Sequence, residues 1–98
     1  MSAPDHDIVV RDVPGAGRYE LVVSGRLAGL VTYTMDGETM TIPHAEVRPA
    51  YEGRGLGSRL AGFVLGDARR RGLRVVPRCP FIASYIERHP EYADLVAG

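Results

Sequence analysis

Between Val47 and Ser58 the chain reads Val-Arg-Pro-Ala-Tyr-Glu-Gly-Arg-Gly-Leu-Gly-Ser. Glycines at 53, 55 and 57 leave the backbone bare at every second position, so N–H groups can approach an anion closely. Leu56, Leu60, Phe63, Val64 and Ala68 then recur with the 3.6-residue period of an amphipathic helix. The first amides of a helix have no internal partner and carry the positive end of its dipole. A strand, a glycine loop and a helix in this order are therefore expected to form a phosphate site. What remains open is which phosphate.

Two familiar phosphate loops are excluded. A Walker-A loop needs Lys after its last glycine, whereas this chain has Ser58 there and no lysine anywhere; all 12 basic residues are arginine. The dinucleotide fingerprint is G-x-G-x-x-G, whereas Gly53, Gly55 and Gly57 give G-x-G-x-G, and no second βαβ half follows. Ninety-eight residues suffice for one small domain, expected to span 1–98 with 1–7 as a flexible tail. The formal net charge of zero argues against a nucleic-acid partner. No apolar run is long enough to cross a membrane, and the polar, acidic start does not read as a signal peptide. A single cysteine, Cys79, excludes an internal disulfide and fits a reducing, cytoplasmic setting.

The coarse reading is α/β. Residues 8–13, 18–24, 27–35 and 39–47 read as strands, with turns at Pro14–Gly17 and Gly25 and a hairpin at Asp36-Gly37. They make an antiparallel meander of three or four strands. The glycine loop leads into a helix of about 15 residues, roughly 22 Å long. Arg69, Arg70 and Arg71 crowd its last turn and Gly72 is a natural cap. Residues 73–79 read as a strand parallel to the one before the helix, and 82–88 as a short second helix, broken at His89-Pro90. Pro77 and Pro80 lack N–H groups, so the last strand cannot ladder fully with its neighbour. The parallel pair is expected to splay and open a wedge beside the glycine loop.

This order resembles the GNAT superfamily of acyl-CoA-dependent N-acyltransferases. The residues that carry the resemblance are Glu52-Gly53-Arg54-Gly55-Leu56-Gly57, set against the family's Gln/Arg-x-x-Gly-x-Gly/Ala. His44-Ala45-Glu46-Val47, Pro77-Arg78-Cys79-Pro80-Phe81-Ile82, Tyr85-Ile86 and His89-Pro90-Glu91-Tyr92 look like a small one-domain branch of it. The resemblance covers about residues 20–96. It implies a GNAT-like fold, a β-meander followed by a strand–helix–strand unit, with acetyl-CoA as acyl donor. Backbone amides of Gly53, Arg54, Gly55, Leu56, Gly57 and Ser58 would hold the pyrophosphate, with Arg54 and Arg59 as nearby cations. Val47 and its neighbours would bond the pantetheine arm. Tyr85 sits where many members keep a tyrosine near the thioester sulfur, and Cys79 where larger members have asparagine. Glu52 departs from the usual Gln/Arg and is expected to point away. The two helices that shape the acceptor pocket in larger members have no room here, so the acceptor side is expected to be open.

Acetyl transfer needs a neutral amine, a donor set for the developing oxyanion and a proton for the leaving thiolate. His44 and Glu46 alternate onto one strand face, about 6.6 Å apart. Met40 and Ile42 are expected to share that face. Either polar side chain serves as a base, or both are solvent-facing polar residues. Cys79 is a nucleophile, a neighbour of the thioester or a small buried hydrophobe. Tyr85 is a proton donor or a core aromatic. His89 reads as structural, and no cluster has metal-ligand spacing. The expected function is N-acetyl transfer to a small-molecule or protein amine, a protein lysine included, by direct transfer in a monomer or homodimer. A CoA-binding module with little activity is the alternative, and unrelated anion binding at the loop a third.

Overall fold

The computed structural model of the protein describes residues 7–97; His6 and most of the expected tail lie outside them. Four antiparallel strands run in chain order, β1 Ile8–Val13, β2 Arg18–Val23, β3 Arg26–Asp36 and β4 Thr39–Val47. Helix α1, Leu56–Arg70, crosses to β5, Arg74–Pro77, which pairs parallel with β4. Helix α2, Pro80–Arg88, and a 3-10 segment, Pro90–Leu95, complete the chain. The sheet order is β1-β2-β3-β4-β5, so the expected mixed fold is the one observed, with all four meander strands present.

Local chemistry fixes the boundaries. Ser24 and Gly25 take the positive φ of a tight turn between β2 and β3. The β3–β4 hairpin closes at Asp36 opposite Thr39, so its two-residue loop is Gly37-Glu38, one position beyond the sequence reading. β5 is shorter than the expected 73–79, and α2 begins two residues earlier than 82, because Pro80 presets the first turn of a helix.

Both helices pack on one face of the sheet. Tyr19, Leu21, Val31, Met40, Ile42 and Val75 from the strands meet Leu60, Val64, Leu65 and Ile82 from the helices, all fully or almost fully buried. Phe63 departs from the expected apolar stripe. It is half exposed at the stripe's edge and turns its ring edge-on to Tyr19. Asp67 lies within the stripe instead, accepting a hydrogen bond of 2.5 Å from the Tyr19 hydroxyl and one of 3.2 Å from Arg71. Burial alone would raise the Asp67 carboxyl, but the Tyr19 and Arg71 donors outweigh it and hold the group below its ordinary value. Arg71 also reaches Asp12 on β1, whose other oxygen accepts from Tyr33. The network ties the end of α1 to three strands.

One irregularity re-aims β4. Val31 opposes Ala45 and Thr32 opposes His44, but Thr34 opposes Thr41, so Ile42 and Pro43 together face Tyr33. This is a β-bulge, and Pro43 suits it because a bulge residue need not donate to the ladder. The extra residue reverses the alternation. Met40 and Ile42 face the helices; beyond the bulge Ala45 and Val47 do. The expectation that His44 and Glu46 share a face with Met40 and Ile42 is therefore corrected: they point to the side that the helices leave uncovered.

Candidate active site

The wedge is present where the prolines place it. Pairing of β4 with β5 ends at Ile42 opposite Pro77, while β4 runs on to Val47. The amides of Arg78 and Cys79 both converge on the Ile42 carbonyl, at 3.1 and 3.0 Å, and close the ladder there. Past that point the main chain of β4 alternates in direction. The Arg48 amide donates toward β3, to the Ala28 carbonyl at 2.7 Å. By the alternation of an antiparallel pair, the N–H and C=O groups of Ala45 and Val47 turn the other way, into the wedge. An extended ligand with amide groups finds a strand edge there.

The loop at the wedge's mouth carries its glycines for two different reasons. Gly53 and Gly55 take φ of +82° and +74°, the left-handed conformation that side chains avoid. They turn the chain so that Gly55 starts α1, and its carbonyl accepts from Arg59 at 3.2 Å. Among the described residues no side chain caps this helix and none in its first turn is acidic. Leu56, Gly57 and Ser58 thus offer their amides outward at the positive end of the helix. Arg54 lies over the Tyr51 ring at 5.5 Å, at the loop's rim, and Glu52 is exposed. Leu56 buries its side chain, so only its backbone is available to a ligand.

Gly57 is helical rather than left-handed, and its bareness serves packing. A Cβ there would lie 2.9 Å from Cζ of Phe81 and 3.5 Å from a Val47 methyl. Phe81, in the first turn of α2, therefore reaches across to the first turn of α1. Phe81, Leu60, Ala45, Glu46 and Val47 line a cleft of about 140 Å³. Of these, the sequence reading gives a site role only to Val47 and Glu46. The signal for the others was the Pro80-Phe81 start of α2 beside a bare Gly57, which becomes readable only once the two helices are set side by side.

His44 and Glu46 are brought together on the uncovered face. Nε2 of His44 lies 2.8 Å from Oε1 of Glu46, and their side chains are 55% and 43% exposed. Cys79 caps α2 with its backbone carbonyl and is 4% exposed within the apolar core. Tyr85 lies one turn beyond Phe81 on the same side of α2 but does not line the cleft. Its hydroxyl abuts Gly62, 3.0 Å from where a Cβ would be, and its ring stacks on His89 at 4.0 Å. Burial raises the Tyr85 hydroxyl above its ordinary value, and Tyr92 adds to the shift. Among the described residues no three His, Cys, Asp or Glu side chains are grouped to hold a metal ion, and no helix is long and apolar enough to cross a membrane.

Comparison with known proteins agrees with this architecture. A solution structure of a GCN5-like protein from Staphylococcus aureus superposes with a TM-score of 0.72 at 21% identity, over 94% of this chain and 90% of the other. Ribosomal-protein-alanine N-acetyltransferase from Brucella melitensis gives 0.58 at 19% identity, over 83% of this chain and 61% of that one. N-acetylglutamate synthase from Neisseria gonorrhoeae, solved with coenzyme A and N-acetyl-glutamate, gives 0.54 at 18% identity. Here 74% of this chain covers 19% of the synthase. At these identities the likeness is one of fold. No curated protein matches the sequence. A family profile described as GCN5-related N-acetyl-transferase matches residues 18–95, most of the sheet and both helices. The chain belongs to the GCN5-related N-acetyltransferases.

Proposed function

We propose that this protein transfers an acetyl group from acetyl-CoA to an amine that approaches the uncovered face of the sheet. The observation that carries this reading is the division of labour along β4. Beyond the bulge its main chain opens into the wedge, and its polar side chains stand on the face away from the helices. The residues present suit such a donor. The amides of Gly53 to Ser58 would hold the pyrophosphate, with Arg54 and Arg59 on the same rim, and Ala45 and Val47 the amides of the pantetheine arm. When bound, the donor supplies an acyl carbon activated as a thioester.

His44 and Glu46 would act on the acceptor. A carboxylate and an imidazole in contact attract the ammonium form of an amine and accept its proton. The nitrogen's lone pair is then free to form the new C–N bond as the C–S bond breaks. As the amide forms the nitrogen gives up a second proton, and this balances the one that the departing thiolate takes up; Tyr85 would deliver it only with its ring turned away from Gly62. We infer direct transfer, since Cys79 is sealed in the core. We also place the chain in the small one-domain branch, on its Cys79-Pro80-Phe81 and His89-Pro90-Glu91-Tyr92 segments. The uncovered face suits a large acceptor such as a protein lysine. The position of Tyr85 outside the cleft favours a second reading, a CoA-binding module with weak turnover.

The test is thermal unfolding with acetyl-CoA or ATP, followed by thiol release with a panel of amines. A ligand at 100 times its dissociation constant stabilises by about 2.7 kcal/mol, and each kcal/mol moves the midpoint of so small a domain by about 4–8 °C. A shift with acetyl-CoA and none with ATP, with sustained thiol release, is expected. No shift at millimolar acetyl-CoA overturns the reading, and a shift without turnover favours the module.

A further inference from the structure

Among the described residues Phe81 is one of four large apolar side chains left exposed, at 38%. It is also the only residue of α2 that lines the cleft. Its backbone is held firmly. Pro80 starts the helix, the Cys79 amide is bonded to the Ile42 carbonyl at 3.0 Å, and Ile82 beside it is fully buried. The ring, by contrast, leaves that anchored turn and ends against the bare α-carbon of Gly57, in the gap that a Val47 methyl also borders. Gly57 at the start of α1 and Val47 at the edge of β4 stand together on one side of the wedge, and α2 brings Phe81 from the other. The ring therefore spans the mouth on the helix side, above the edge formed by Ala45 and Val47.

We propose that Phe81 is the cover of the donor's apolar arm, the residue by which the protein selects a pantetheine thioester over other diphosphates. The inference deepens the acetyl-CoA reading and rests on it. The phosphate loop alone cannot make this distinction, because backbone amides and arginines read only charge. The arm differs from a plain nucleotide in its alkyl and gem-dimethyl groups, and these are what an aromatic ring against Leu60, Ala45 and Val47 recognises. A ligand bonded to the edge of β4 would lie between that edge and the ring. Because the outer side of the ring is exposed, it can swing out to admit the arm and then close over it without disturbing the core.

The test is titration calorimetry of the full chain with acetyl-CoA and with ADP, which keeps the pyrophosphate and lacks the arm. Phe81→Ala is expected to weaken acetyl-CoA about tenfold, the loss that corresponds to uncovering part of one aromatic contact, and to leave ADP unchanged. Phe81→Leu, which keeps an apolar cover and guards against a folding defect, is expected to lose less. Stopped-flow measurement should place the loss in faster release. The proposal is overturned if Phe81→Ala binds acetyl-CoA as wild type does, binds it more tightly, or loses acetyl-CoA and ADP equally. Failure of the wild type itself to bind acetyl-CoA would instead overturn the cofactor reading, and this inference with it.

Discussion

Nε2 of His44 and Oε1 of Glu46 lie 2.8 Å apart on the face of the sheet opposite α1 and α2. The contact is made by residues two apart on one strand, so the strand itself sets it and no loop needs to close to form it. If the pair serves the acceptor, removing the carboxylate should slow the chemical step and spare the donor site. Glu46→Gln is expected to lower kcat by about 10²-fold or more, with the KM for acetyl-CoA unchanged. Steady-state kinetics on any accepted amine would check it, and a rise in donor KM alone would remove Glu46 from the chemistry.

Cys79 gives a prediction of the opposite sign. With direct transfer, Cys79→Ser should keep its turnover and lose stability, about 1–3 kcal/mol for a hydroxyl placed in an apolar core. Intact-mass measurement after incubation with acetyl-CoA should show no adduct of the size of one acetyl group. A stable adduct that disappears in Cys79→Ser would establish the covalent route instead.

Gly29 sits opposite Val47 in the ladder, and a Cβ there would be 2.7 Å from the Glu46 carbonyl oxygen. Both atoms belong to main chain or its first substituent, so neither can swing aside. Gly29→Ala should push the end of β4 outward and cost about 1–3 kcal/mol. It should also weaken acetyl-CoA, because the same segment carries the Ala45 and Val47 groups. Paired denaturation and binding curves would show the two losses together.

Acid sensitivity should trace to Asp67. Its folded-state carboxyl is held below the unfolded value of 3.8. Its stabilising contribution is thus complete above about pH 4 and is lost as the pH falls through the folded value. Asp67→Asn should lower the unfolding midpoint at pH 7 and flatten its decline toward pH 3. Some decline should remain, because the Arg18 and Arg11 guanidiniums hold Glu20 low as well. An unchanged acid limb would rule Asp67 out as the sensor.

Much of this architecture was legible in the residues. The strands, the glycine loop, the helix over 56–70 and the wedge follow from alternation, turn chemistry and two prolines that cannot ladder. Strict alternation through Pro43 puts His44 and Glu46 on the wrong face, because the bulge there adds a residue. A proline inside a strand was the available sign that the count would slip. The Tyr19–Asp67 bond joins residues 48 apart, and no local pattern announces such a meeting. Phe81 was hidden for the same reason: its partner Gly57 looked like one more loop glycine, and only the packed helices show that its missing side chain makes room for a ring.

The bulge at Ile42 and Pro43 divides β4 into two regions with separate tolerances. Before it, an inward side chain answers to the interior, and substitutions at Met40 or Ile42 should register as lost folding. After it, the outward side chains are exposed and, on the function proposed above, face the acceptor, so substitutions at His44 or Glu46 should leave folding almost untouched. Deleting Pro43 would remove the bulge and set His44 directly after Ile42, so plain alternation would still turn the imidazole and carboxylate outward and Ala45 and Val47 beneath the helices. Variants in this strand can therefore be sorted by position before any is made: deleting Pro43 should straighten the strand and keep both faces, whereas point changes on either side of the joint should separate folding from activity.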